Sequence, residues 1–251
     1  MTLSAIKTGK LHLIPARAIP NLVRALELGA VLLLFLLGSE ALAHGIEGRD
    51  AAFVAATRGP APGPFLYLGA KHMVTGYDHL LFLLGVIFFL RRFRDVVLYV
   101  SLFSLGHSIT LLCGVLGKSG LDSRLVDAVI GLSVVYKAFD NIGGFERTLR
   151  WRPDPRATVL GFGLIHGLGL ATKLEQLGLH REGLLANLVS FNVGVELGQV
   201  AALSVLLTLI LLWRRTRLFS SAAVAANMTI MTSGFVLIGY QLAGFFWRAT
   251  G

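Results

Sequence analysis

Six apolar stretches fill the chain from residue 65 onward, at 65–90, 95–117, 126–145, 158–174, 184–212 and 221–247. Each is long enough to cross the hydrocarbon core of a bilayer, which takes about 20 apolar residues. No water is available there to satisfy backbone polar groups, so these stretches must fold as helices. The expected fold is therefore an all-α integral membrane protein, a six-helix bundle over residues 65–251. Composition agrees: charged residues are 15% of the 251, against about 25% in soluble domains. That excludes an ordinary soluble enzyme, a disordered chain and a secreted disulfide scaffold. A single cysteine, Cys113, permits no intrachain disulfide.

The net charge of +9 would point to nucleic acid in a soluble protein, but here the arginines bunch beside the apolar runs. Arg91, Arg92 and Arg94 follow span one, Arg147, Arg150, Arg152 and Arg156 follow span three, and Arg214, Arg215 and Arg217 follow span five. The alternate gaps are poorer, with Lys118 and Arg124, then Lys173 and Arg181. The positive-inside rule puts the arginine-rich gaps in the cytoplasm and the start of span one outside. The leader fits that orientation. Lys7, Lys10, Arg17 and Arg24 precede a short apolar run at 28–37 and Ala41-Leu42-Ala43, the pattern of a secretory signal peptide over 1–43. Cleavage would make His44 the mature N-terminus, with 44–64 as a Gly-, Ala- and Pro-containing external lead-in. Both mature termini then face the periplasm of a bacterial inner membrane.

Ionisable groups inside spans cost about 2.5–3.5 kcal/mol each on insertion scales, so each needs a reason. Span one holds His72, Asp78 and His79; span two His107; span four His166; span five Asn192, Glu196 and Gln199. Span three holds Ser133, Lys137, Asp140 and Asn141. His72 and His79, seven residues apart, share a helix face with Thr75 and Gly76 between them. His79, His107, His166 and Glu196 fall at similar depth, in the middle third of their spans. Imidazole with carboxylate suits divalent zinc, nickel, iron or copper, and Asp78 or Asn192 can take the second ring nitrogen of a ligating histidine. The expected metal ligands are His72, Asp78, His79, His107, His166 and Glu196, supported by Asn192, Gln199 and Asp140. The plainer reading of any one of these histidines is an interhelical hydrogen bond, and Lys137 with Asp140, at i and i+3, reads as a self-neutralising pair. No Walker loop, GxSxG or CxxC motif occurs in the chain.

These residues stand in motifs that resemble a known family. Lys71-His-Met, Gly76-Tyr-Asp-His-Leu-Leu-Phe-Leu-Leu84 and Gly106-His-Ser-Ile-Thr-Leu111 come first. Phe162-Gly-Leu-Ile-His-Gly-Leu-Gly-Leu-Ala171 and Phe191-Asn-Val-Gly-Val-Glu-Leu-Gly-Gln199 follow. In this order they resemble HupE/UreJ-type membrane proteins over residues 65–212, in the longer branch related to the hydrogenase and urease accessory nickel permeases. The resemblance implies that His72, Asp78, His79, His107, His166, Asn192 and Glu196 carry over at the matching positions. It implies inner-membrane transport of a divalent transition metal through a midplane His/Asp/Glu site. A membrane-embedded metalloenzyme holding its ion permanently, and a non-catalytic scaffold subunit, use the same residues. The expected partners are the bilayer and the metal ion, with a homo-oligomer left open and nucleic acid excluded.

Overall fold

The computed structural model describes residues 48–150 and 153–250, with no account of the side chains of residues 249 and 250. All regular structure among the described residues is helical. In chain order the helices are α1 (Gly48–Ala56), α2 (Pro62–Thr75), α3 (Tyr77–Ile87), α4 (Phe93–Gly117), α5 (Ser123–Asn141), α6 (Gly144–Thr148), α7 (Pro155–Gln176), α8 (Leu184–Arg214) and α9 (Phe219–Thr250). The signal-peptide expectation for 1–43, His44 and Arg152 lie outside the described residues.

Four helices, α4, α7, α8 and α9, are long and apolar enough to cross a membrane. The chain is a multi-pass membrane protein whose helices meet lipid. Two expected spans take a different form. Span one is not one helix: α2 has 14 residues and α3 has 11, and they are separated at Gly76. At 1.5 Å per residue, neither half alone covers a core about 30 Å thick. Span three, α5, has adequate length at 19 residues but includes Arg124, Asp127, Lys137 and Asp140. The lead-in is likewise not all loop, because α1 forms there and Asp50 pairs with Lys71 of α2 at 2.7 Å.

Glycine sets how closely the long helices approach. The bundle is built from three tight pairs, α2 with α8, α4 with α7 and α5 with α9, with α3 touching most of them from the centre. In the first pair, a Cβ at Gly69 would strike the Phe191 carbonyl, and one at Gly194 the Leu66 carbonyl. In the second, a Cβ at Gly163 would strike the Phe103 carbonyl and one at Gly167 the His107 carbonyl. In the third, a Cβ at Gly234 would stand 3.0 Å from the Gly131 carbonyl. Small residues of this kind let membrane helices pack backbone to backbone. Neighbouring positions rise together along α2/α8 and α4/α7, so these pairs run parallel. In α5/α9 they run oppositely: Gln241 Nε2 donates to Asp127 (3.3 Å) near one end and Asn141 Nδ2 donates to Asn227 (2.8 Å) near the other.

Polar contacts fasten the helix ends. Asn187 of α8 accepts from Ala61 N–H (2.7 Å) and donates to the Gly59 carbonyl (3.0 Å). Glu175 of α7 accepts from Ser119, just beyond α4, at 3.0 Å through both the backbone and the hydroxyl. At the opposite end Arg214 donates to the carbonyls of Ile87 (2.9 Å), Leu90 (2.5 Å) and Phe88. A guanidinium there satisfies carbonyls that the end of α3 leaves without intrahelical partners.

Candidate metal centre

The break in span one builds the centre of the site. Gly76 ends α2 with φ −74° and ψ 94°, its N–H bonded to the His72 carbonyl at 2.8 Å. A Cβ there would lie 3.0 Å from that carbonyl, 3.1 Å from His79 Nδ1 and 3.2 Å from Asp78 Oδ1. Helix α3 then restarts with Asp78 and His79 in its first turn, where a carboxylate is favoured by the free N–H groups and the helix dipole. In a continuous helix seven residues advance about 10.5 Å. Across the break, the His72 and His79 rings come to 5.1 Å, edge to face.

Two more histidines close around His79. Its ring lies 4.7 Å from that of His166 on α7 and 5.7 Å from that of His107 on α4. His79, His107 and His166 are 2% exposed or less and His72 is 9% exposed, so the cluster is sealed from solvent. Aromatic rings form its walls: Phe103 at 5.0 Å from His166, Phe82 at 5.2 Å from the same ring, and Phe191 at 6.1 Å from His72.

Hydrogen bonds fix which nitrogens face inward. His79 Nδ1–H donates to Asp78 Oδ1 at 2.8 Å, and the same oxygen accepts the His79 backbone N–H at 2.8 Å. That leaves Nε2 with its lone pair. Ser133 on α5 donates its one hydroxyl proton to the Ile130 carbonyl (2.6 Å), so it accepts from His166 Nε2–H at 3.0 Å. That leaves Nδ1 of His166. The nitrogens so exposed, His79 Nε2 and His166 Nδ1, are buried without a hydrogen-bond partner, as are His72 Nε2 and both ring nitrogens of His107. A buried polar atom without a partner costs about 1–3 kcal/mol, so several in one cluster ask for a ligand. Ligand atoms of His72, His79 and His107 lie within 4.8 Å of one another. Two nitrogens bound at about 2.1 Å to one ion stand at most about 4.2 Å apart, so a small side-chain rotation brings these three together on an ion.

The structure brings His72, Asp78, His79, His107 and His166 together, with Asp78 on the far side of the His79 ring. It leaves the other expected residues elsewhere. Glu196 is exposed on the outer surface of α8, on the rim of the stripe that Asn192 and Gln199 turn inward. Gln199 is a clasp between helices, accepting from Ser104 (2.9 Å) and donating to the Val100 carbonyl (3.3 Å). Asn192 donates to Ser108, the neighbour of His107, at 2.7 Å, and its Oδ1 is buried without a partner. Asp140 pairs with Lys137 at 2.7 Å. Thr75 is exposed and bonds the Lys71 carbonyl, so it does not line a path between His72 and His79. Sequence reasoning overlooked Ser133 as the partner of His166; its place one turn before Lys137, on the polar face of span three, was the available signal.

The family described as HupE / UreJ protein matches residues 48–249, most of the chain and all of the helices that carry the histidines. No curated protein and no solved structure matches it.

Proposed function

The chain belongs to the HupE/UreJ family, and on that premise we propose that it carries a divalent transition metal ion, nickel or a close relative, across the bacterial inner membrane. The observation behind this reading is the convergence of unpartnered nitrogens from His72, His79 and His107, with the His166 ring packed on His79, at the break between α2 and α3. Histidines serving only to hold helices together would spend those nitrogens on neighbours. Interrupted helices at mid-membrane are characteristic of transporter binding sites, where loosened backbone lets the site change shape. In this reading α2 with α3 makes one passage and α5 another, so that the chain crosses six times after a cleaved leader. The arginine-rich ends face the cytoplasm and the C-terminus the periplasm. His72, the most accessible of the four, receives the ion. It is then held with His79 and His107, Asp78 orienting the His79 ring and Ser133 that of His166 packed beside it.

The enclosure of the cluster favours a second reading, an ion held permanently for chemistry at an open coordination position. One experiment separates the two. Purified protein and the His79→Ala/His107→Ala double variant are tested for retained metal by elemental mass spectrometry, and for entry of Ni2+ and Zn2+ into proteoliposomes. Entry lost in the double variant, with little metal retained by the wild type, is the expected result. About one tightly held ion per chain and no entry would replace transport with a permanent centre. Equal entry by a folded double variant would overturn both.

A further inference from the structure

One aromatic ring separates the histidine cluster from a pocket that opens toward the arginine-rich end of the bundle. Phe82 sits one turn after His79 on α3 and is fully buried. One side of it meets the His166 ring at 5.2 Å, and it is braced by Phe103 at 5.4 Å and Phe162 at 5.6 Å. The same side chain lines a pocket with Tyr136, Lys137, Asp140 and Thr158. The oxygen atoms there differ in kind from the donors above. Asp140 brings a carboxylate, and Tyr136 and Thr158 bring hydroxyls that face each other at 3.5 Å. The stem of Lys137 runs alongside α3, where a Cβ at Gly85 would lie 3.1 Å from its Cγ, and its ammonium reaches Asp140 at 2.7 Å. The two side chains are only 13% and 10% exposed, so this is a sheltered pair inside the pocket and not a solvated surface contact.

We propose that this pocket is a second, weaker cation site on the release side, with Asp140 as its ligand, Phe82 as the gate from the histidines, and Lys137 as the group that expels the ion. The inference rests on the transport reading and deepens it. Oxygen donors hold nickel- or zinc-like ions less firmly than imidazole does, so passage from the cluster to Asp140 is a step toward hydration. An incoming divalent ion must displace the Lys137 ammonium from the carboxylate. The ammonium, held nearby by its own helix, returns and repels the ion. A pocket with an acid and no resident cation would trap the metal. A rotation of Phe82 opens the passage without unfolding any helix, since the ring is held by packing alone.

The test compares Ni2+ entry into proteoliposomes with equilibrium Ni2+ binding in detergent, for wild type, Phe82→Ala, Asp140→Asn and Lys137→Met. Gating by side-chain motion changes rate more than occupancy. We therefore expect Phe82→Ala to raise entry at least about threefold, by a larger factor than any change it makes in binding at the histidines it packs against, and Asp140→Asn to lower entry at least about threefold with unchanged binding there. Lys137→Met is expected to lower entry while adding a second bound ion. If Phe82→Ala fails to fold, Phe82→Leu serves the same comparison. Wild-type entry rates in all these variants, together with loss of entry in His79→Ala, would remove the pocket from the path and leave the central reading intact. Entry that is also insensitive to His79→Ala would overturn both.

Discussion

A ring nitrogen can accept a metal ion only when the protein has settled where the ring's other proton goes. Asp78 and Ser133 make that decision for His79 and His166, one with a carboxylate and one with a hydroxyl already committed to a carbonyl. Their chemistry differs, and so does what each contributes. The carboxylate brings a full negative charge to the His79 ring as well as orienting it, whereas the hydroxyl only orients. Replacing Asp78 by Asn keeps an oxygen acceptor for the His79 N–H groups but removes the charge, and losses of such supporting partners typically cost about 10- to 100-fold in metal affinity. Titration of Asp78→Asn with Ni2+ should show a weakening in that range. Glu196→Gln should bind as the wild type does, because Glu196 faces outward from α8. A loss with Glu196→Gln equal to that of Asp78→Asn would return the carboxylate to the centre. The histidines were legible in the sequence because an imidazole in a hydrocarbon span is expensive and conspicuous. Glu196, which the structure leaves exposed, stands on the edge of the Asn192–Gln199 stripe, and spacing alone cannot say on which side of the seam an edge residue falls.

At the scale of helices, the chain's glycines decide geometry more than its apolar residues do. Gly167 lets α7 approach α4 at His107, where any Cβ would strike the His107 carbonyl and crowd the Thr110 hydroxyl. Thr110 is itself bonded across the seam to the Leu164 carbonyl at 2.6 Å. Gly167→Ala should therefore push His107 away from His79 as well as loosen the pair. Overpacking of this kind costs about 1–3 kcal/mol, and the expected result is a lower melting temperature together with weaker Ni2+ binding. Gly161→Ala on the same helix meets nothing within 4 Å. It should leave binding unchanged and match or exceed wild-type stability, since alanine favours helix over glycine by about 1 kcal/mol. Equal behaviour of the two variants would mean that the close approach has no bearing on the site. Gly163 and Gly167 stand four apart, the small-xxx-small spacing that close packing of membrane helices favours. The break at Gly76 is not legible in the sequence, because 65–90 is long enough to cross as one helix and a glycine inside a membrane span is commonplace. Only the crowding of His72, Asp78 and His79 around it shows that a side chain there would press on the site.

For the whole molecule, the directions of the helices restrict how the chain is threaded. Parallel α2/α8 and α4/α7 pairs with an antiparallel α5/α9 pair are what six alternating passages produce: out, in, out, in, out, in. Passages one and five share a direction, as do two and four, while three and six oppose one another. The tethers agree with this order. Arg214 binds the end of α3, placing the ends of passages one and five together, and Ser119 and Glu175 do the same for two and four. Hydropathy and arginine placement predict that same order, although α5 with its charges is not among the four helices long and apolar enough to cross a membrane. Its charges are sheltered by partners from other helices or from its own next turn: Asp127 by Lys173 at 2.9 Å and Lys137 by Asp140. Sidedness can be read by labelling. With Cys113 replaced by serine, single cysteines at Leu121 and Leu149, both exposed in the segments flanking α5, should react with a membrane-impermeant maleimide from opposite sides. Leu121→Cys should label in intact spheroplasts. Leu149→Cys should label only in inverted vesicles, and Leu218→Cys, also exposed and beside Arg214, Arg215 and Arg217, should follow it. Labelling of Leu121→Cys and Leu149→Cys from the same side would mean that α5 does not cross. His166 would then draw its Ser133 partner from a helix that dips into the membrane and returns, and the Asp140 pocket would open on the periplasmic face.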